Sequence, residues 1–203
     1  LLDKYGENGF EINEGDGAFY GPKIDLKMKD ALGREWQMGT IQLDFQLPLN
    51  FGMKYTAADG TQKQPVMIHR AIFGSMERFI GIITENFKGS FPFWLSPYQI
   101  GIVPIRPEHN EYAKKVADLC RKNGLRVEAD YSDNNMKTKI KGFKNYKDPY
   151  ILVLGDNEAA NNTVSINIRG NKQLNNVPLD EFLDLCDRMV EEHSLELTET
   201  LEN

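Results

Sequence analysis

Three histidines, a glutamate–arginine pair and a run of lysines are the residues of this chain whose types and spacing could do chemistry. His69 stands in "VMIHRAI", a short apolar stretch, with Arg70 beside it and Glu77–Arg78 a few residues on. Charges on an apolar stretch are costly unless they are paired or bind something. His69 reads either as a satisfied core residue or as a ligand to a metal or substrate. Glu77–Arg78 reads either as an ion pair at a helix start or as a phosphate clamp, for which the planar guanidinium is well suited. The other two histidines, His109 and His193, lie far along the chain, so these three alone make no complete zinc site.

Upstream, "GAFYGPK" places Gly17 and Gly21 around Tyr20 and ends on Lys23: a tight turn, or a loop bringing a phenol and an ammonium to a ligand. "WQMGTIQLDF" carries Gln37 and Gln42 among apolar neighbours. These amides belong to a solvated face by default, and suit a polar uncharged ligand such as an amino acid if they point inward. Downstream, Lys137, Lys139, Lys141, Lys144 and Lys147 fall within eleven residues without a carboxylate. The run is a solvated helix face or a nucleic-acid contact.

Elements must position these groups. "KIDLKMKD" alternates apolar and charged residues and predicts a half-buried strand over 23–30; "ALGR" turns the chain into a second strand over 35–45. In that second strand the apolar positions switch parity, from Trp36 and Met38 to Ile41, Leu43 and Phe45, which predicts a bulge near Gly39–Thr40. Residues 1–13 read as a helix end and a short strand, and a helix is expected from Ser75 to Phe87 with a stripe of Met76, Phe79, Ile80 and Ile83. "KGSFPFWLSP" (88–97) reads as a domain connection. Beyond it, expected strands at 99–105, 126–130, 150–156 and 163–169 alternate with helices at about 108–122, 134–147 and 179–192. The fold class is therefore α/β: a first unit over 1–93 in which the second strand returns along the first as an antiparallel pair, then an α/β unit with a largely parallel or mixed sheet over 94–203.

Composition sets the outer bounds. The 203 residues are 40% hydrophobic and 27% charged, which excludes disordered and membrane-embedded classes. A net charge of −6 argues against wholesale wrapping by nucleic acid but leaves room for a local basic patch. Cys120 and Cys186 have no metal spacing and suit free thiols in a reducing compartment. The opening Leu-Leu-Asp suggests a fragment.

In order and spacing, "EGDGAFYGPKIDLKMKDALGREWQMGTIQLDFQLP", "PVMIHRAIFGSMERFIGIITENF", "HNEYAKKVADLCRKNGLRVEAD" and "PYILVLGDNE" resemble the threonyl-tRNA synthetase family of class II enzymes. The resemblance implies the end of a catalytic domain followed by an anticodon-binding domain, in an enzyme that joins threonine to tRNA through threonyl-adenylate. By it, "GSMERF" is the third class II motif. Arg78 contacts ATP as a catalytic residue, with Ser75, Gln37, Thr40 and Lys23 also at the nucleotide. Tyr20, Gln37 and Gln42 line the threonine pocket. His69 is one of three ligands to zinc, the other two lying upstream, and Mg2+ accompanies ATP. Zinc holding the amino acid's hydroxyl would reject valine, the kind of discrimination a polar site supplies.

For tRNA, the resemblance points to Glu158 and Arg169, and the lysine run adds Lys137, Lys141 and Lys144. It is departed from at Ser132–Asp133 and Asn167, where replacements remove positive charge, and at Met38, which stands for a cysteine. A homodimeric, cytoplasmic full-length enzyme is implied, with the first two motifs absent from this chain and the isolated 203 residues inactive. A synthetase-like paralogue that binds tRNA without aminoacylating it is the competing expectation.

Overall fold

The computed structural model describes residues 9–197. The chain divides into two compact units, one running to Asn86 and the other from Phe87. Any helix end before residue 9 lies outside the described residues, and 9–13 form no regular element.

The first unit is a three-stranded antiparallel sheet in the order β1–β2–β5. Strand β1 (Lys23–Lys29) pairs with β2 (Glu35–Asp44) across the turn at 30–34. Asp30 ties that turn: it accepts from the Leu32 and Arg34 N–H groups and from the Trp36 indole, 2.8 Å away. The Trp36 and Arg34 contacts hold the Asp30 carboxyl well below the usual carboxylate range. A short helix, α1 (Gln46–Asn50), follows, then a small hairpin of β3 (Tyr55–Thr56) and β4 (Gln62–Lys63). Strand β5 (Met67–Ala71) pairs with β2, and helix α2 (Met76–Asn86) closes the unit.

The expected bulge is present. Leu26 pairs with Gly39 and Lys27 with Gln37, so Met38 is the extra residue, one position before the place the parity pattern indicates. Met38 is also the one buried hydrophobic residue of this unit among the described residues. The sheet face formed by Ile24, Leu26, Met28, Ile41 and Ile68 is open, Ile68 being 65% exposed. The expected stripe of α2 is covered only in part: Phe79 and Ile83 are half-buried, whereas Met76 and Ile80 are exposed. Glu77 and Arg78 are exposed too.

The second unit has a five-stranded mixed sheet. Its strands are β6 (Ile100–Pro104), β7 (Val127–Ala129), β8 (Tyr150–Leu154), β9 (Thr163–Ile168) and β10 (Lys172–Pro178), in the spatial order β10–β9–β8–β6–β7. The first three are parallel; β9 runs antiparallel to β8, and β10 to β9. Period-two alternation divides the sheet's two faces. Ile100, Ile102, Tyr150, Leu152, Val164 and Ile166 face the main core, built with helices α3 (Asn110–Lys122) and α6 (Leu179–Glu191). Val103 and Ile151 face the other way, under Phe143 of α4 (Met136–Asn145). That ring lies so close to Gly101 that a Cβ there would stand 2.6 Å from it.

Sequence reading missed the β3–β4 hairpin and α1 upstream and, here, β10 and the short helix α5 (Asp156–Asn161). Strand β10 (KQLNNVP) is polar because it is an edge strand, five of its seven residues lying outside the core, and such a strand lacks the apolar run that marks a buried one.

Candidate functional site

The bulge at Met38 decides the geometry of the first unit. Gln37 and Thr40 have opposite parity and would face opposite sides of a regular strand. With one extra residue between them they share a face, and Gln37 Nε2 donates to Thr40 Oγ1 at 2.9 Å. Both meet Asp25 of β1: Gln37 Nε2 and Thr40 Oγ1 each donate to its Oδ1 at 2.7 Å, while Lys23 Nζ is 2.8 Å from Oδ2. Burial disfavours the charge on Asp25, but the Lys23 and Thr40 contacts hold its carboxyl below the usual range.

The same face continues along β2 and β5. Register places Lys23, Gln42 and His69 side by side on three adjacent strands. Tyr20, from the glycine loop, donates to Gln42 Oε1 at 3.0 Å. Pro22 and Tyr20 accept from the Leu43 and Phe45 N–H groups, so this loop is tied to the sheet end. His69 Nε2 lies 2.8 Å from Asp44 Oδ2. Asp44 is fully buried, and its Oδ1 accepts from the Gln46 and Leu47 N–H groups at the start of α1. Burial opposes the Asp44 charge, and the contacts from Leu47, His69 and Gln46 outweigh it, lowering its pKa.

Arg78 reaches this row from α2. Its backbone N–H donates to Ser75 Oγ, a cap for the helix start, and its guanidinium donates to the Gln37 carbonyl at 3.2 Å. Gly74 makes room for it: a Cβ there would stand 2.7 Å from the guanidinium, on a backbone with φ of +64°. Tyr20, Lys23, Gln37, Thr40, Gln42, His69, Ser75 and Arg78 are therefore assembled around one polar face. Asp25 and Asp44, which hold four of them, escaped sequence reasoning. The available signal was the lone carboxylate in "TIQLDF", since a buried Asp requires donors.

In the second unit, α4 carries the lysine run. Lys137, Lys141, Lys144 and Lys147 are exposed. Lys139 is not: it is 4% exposed and its ammonium donates to the Pro104 carbonyl, so it leaves the basic stripe. The order β8–β6–β7 makes the gap between β6 and β8 a topological switch point, and ligands of open α/β sheets bind at the carboxyl ends of strands there. Glu158 lies at that edge, just after β8, accepting from the Gly155 N–H at 2.9 Å and from Ser165 Oγ at 2.7 Å. Arg169 is at the opposite edge. Its guanidinium donates to the carbonyls of Lys147, Ser90 and Phe91, which makes it a clamp on the 90–91 segment. The structure thus does not bring Arg169 together with Glu158.

Comparison with known proteins bears on both units. Residues 4–87 match the tRNA synthetase class II core domain (G, H, P, S and T), and residues 99–189 the anticodon binding domain. The chain is 51% identical to the threonine–tRNA ligase of Aquifex aeolicus across 86% of its own length. The chain belongs to the threonyl-tRNA synthetase family. It is also 45% identical to the threonine–tRNA ligase catalytic subunit of Saccharolobus islandicus, over 98% of this chain. It spans 27% of the first relative's length and 37% of the second's. Among solved structures, the RNA binding domain of threonyl-tRNA synthetase from Cryptosporidium parvum superposes with a TM-score of 0.77 and 39% identity, covering 99% of this chain and 49% of that one.

Threonyl-tRNA synthetase ancestry raises the question of zinc at His69. One ring nitrogen is held by a buried carboxylate, the outer-sphere arrangement that metal-bound histidines commonly have, so His69 fits as a single ligand. No group of three or more His, Cys, Asp or Glu side chains able to hold a metal occurs among the described residues. His69 is thus the contribution these residues can make to such a site.

Proposed function

We propose that this chain forms part of a threonine–tRNA ligase, its first unit completing the amino-acid activation site and its second unit reading the anticodon. The observation that carries this reading is the 51% identity to a threonine–tRNA ligase over 86% of the chain. The single polar face that gathers residues of three strands, a loop and a helix supports it.

In this reading the threonine carboxylate attacks the α-phosphorus of Mg2+-bound ATP, forming threonyl-adenylate and releasing pyrophosphate. A terminal ribose hydroxyl of the tRNA then takes the threonyl group and AMP leaves. Tyr20 and Gln42, already hydrogen-bonded to each other, orient the amino acid. Gln37, Thr40 and Lys23, pinned on Asp25, hold the nucleotide, with Ser75 beside it. Arg78 has a hydrogen bond to one carbonyl and, among the described residues, no carboxylate within salt-bridge range, so its charge is available to the triphosphate. His69 would hold zinc together with ligands from outside this sequence, and the bound zinc would supply recognition of the threonine amino and hydroxyl groups. Catalysis by such a site is chiefly positioning and charge neutralisation.

The test is Arg78→Ala in a full-length ligase carrying this sequence, read by threonine-dependent ATP–pyrophosphate exchange. The expected loss is roughly hundredfold or more with the fold intact. Near-normal exchange would remove Arg78 from the nucleotide site. The isolated 203 residues are expected to show no exchange, and clear exchange from them would overturn their reading as an incomplete catalytic unit.

A further inference from the structure

Glu158 stands on α5, a helix of six residues that follows the C-terminal end of β8. A helix so short has little stability of its own, so its place is set by what holds it from outside. The stretch after β6 does the holding, across the β6–β8 gap. Where the two strands end, the Ile105 N–H donates to the Leu154 carbonyl at 3.0 Å. Just beyond, His109 Nε2 lies 3.0 Å from Oδ1 of Asp156, the first residue of α5, and the Arg106 guanidinium pairs with Oδ2. At the far end of α5, Lys115 Nζ donates to Asn162 Oδ1 at 3.0 Å, and the Tyr112 hydroxyl to the Thr163 carbonyl at 2.7 Å.

The His109 ring is oriented by its own turn. The Arg106 main-chain N–H can only donate, and it meets His109 Nδ1 at 3.2 Å. Nδ1 is therefore the acceptor, and Nε2 carries the proton that it donates to Asp156. His109 is 4% exposed, so this N–H is shielded from solvent and needs that partner. The Asp156 side chain is 74% exposed. A buried donor is thus committed to a surface carboxylate two residues before Glu158. The His109 contact, with the charge of Arg106 behind it, holds the Asp156 carboxyl below the usual carboxylate range, so it accepts as an ion. Gly155 links this pair to Glu158. A Cβ there would stand 2.8 Å from Ile105 Cδ1 and 3.2 Å from Glu158 Oε2, and the Gly155 N–H donates to Glu158. A shift at Asp156 reaches the Glu158 carboxylate through one residue of main chain.

We infer that His109, with Arg106 beside it, is a positioning residue for anticodon reading: through Asp156 it fixes the first turn of α5, and so the place of the Glu158 carboxylate. His109 is buried and acts through Asp156, not by touching the RNA. The same histidine packed as an ordinary core residue would leave Asp156 free to move without consequence for tRNA. The inference rests on the reading of Glu158 as an anticodon contact.

The experiment is aminoacylation by a full-length ligase carrying this sequence, with tRNA(Thr) and with transcripts whose anticodon bases are substituted one at a time. His109→Ala and Asp156→Ala should each raise the KM for tRNA(Thr) roughly tenfold while kcat holds. Each should also shrink the preference for tRNA(Thr) over the substituted transcripts. Asp156 is exposed, so its variant leaves the core intact even if His109→Ala loosens it. In a Glu158→Ala background the two substitutions should add nothing, because they act through Glu158. His109→Gln, which keeps an N–H for Asp156, should recover most of the loss. Unchanged KM and preference in Asp156→Ala, or effects that multiply with those of Glu158→Ala, overturn the inference. A lowered Tm for His109→Ala with normal tRNA kinetics makes it a packing residue and does the same. If Glu158→Ala erases the anticodon preference while His109→Ala and Asp156→Ala keep it, the reading of Glu158 stands and this inference alone fails. If Glu158→Ala leaves the preference unchanged, the reading itself fails and takes the inference with it.

Discussion

Two buried aspartates show how one residue type is driven in opposite directions by its donors. Asp44 has three donors and its pKa is lowered; Asp148 has a buried oxygen with none, and burial, together with the charge of Glu128, pushes its pKa up to about 7, against the pull of Arg169. An unfolded Asp ionises near 3.9. Between about pH 4 and 7 the native chain therefore retains a proton that the unfolded chain has lost, so this group's contribution to stability falls as pH rises and levels off above about 7. Asp148→Asn should gain on the parent chain across that window, at a slope approaching ~1.4 kcal/mol per pH unit. Urea unfolding of both at about pH 4.5 and pH 8 checks it; a difference independent of pH would mean that Asp148 is satisfied by a donor. Residue types alone singled out His69 and Arg78, and left both open between structural and functional roles. The carboxylates that orient the site, Asp25 and Asp44, escaped notice because Thr40 and His69, the site residues they hold across the sheet, lie 15 and 25 residues away.

At the scale of elements, packing tolerance separates the two faces of the second sheet. Phe143 is the ring by which α4 seats on β6, and Gly101 is the gap it fills. Gly101→Ala forces that ring, and α4 with it, away from the sheet. The expected cost is about 1–3 kcal/mol by the denaturation midpoint, typical of overpacking. The amides of α4 should exchange faster with solvent, while those of α3, on the other face, should hold their rates. Unchanged stability would show that α4 shifts freely. Strands β6 and β8 were legible because their apolar runs are nearly continuous, as buried strands require, and β9 because Val164, Ile166 and Ile168 alternate with polar residues. The bulge in β2 was legible to within one residue from the parity switch. Edge strand β10 and the short helices α1 and α5 were not, since solvated elements carry little apolar pattern.

For the whole molecule, apolar burial is unequally divided. The second unit holds a core of two helices against one sheet face, with Tyr150, Phe93 and Phe182 at or near zero exposure. Among the described residues the first unit buries one hydrophobic residue, Met38, beside Gly39, Asp44 and Pro48, and exposes Ile24, Leu26, Met28 and Ile68 on one sheet face. Hydrophobic burial is the main favourable term in folding, so the units should differ in stability. Unfolding of the isolated chain is expected in two steps, with the β1–β2–β5 amides exchanging at lower denaturant than those of β6, β8 and β9. A single coincident transition by hydrogen exchange and circular dichroism would refute this.

By itself the sequence determined most of the longer elements, the α/β class and the residue types available for chemistry, because periodicity, turn residues and helix spacing are local properties. Only the tertiary structure decided which of those residues share a face. Register and the Met38 bulge brought Gln37 to the side of Thr40 and Asp25, and the antiparallel run of β9 beside β8 put Glu158 and Arg169 at opposite strand ends. Burial then took Lys139 out of the lysine stripe and left Asp148 Oδ2 without a partner. Those outcomes depend on contacts between residues far apart in the chain, and no local pattern carries them.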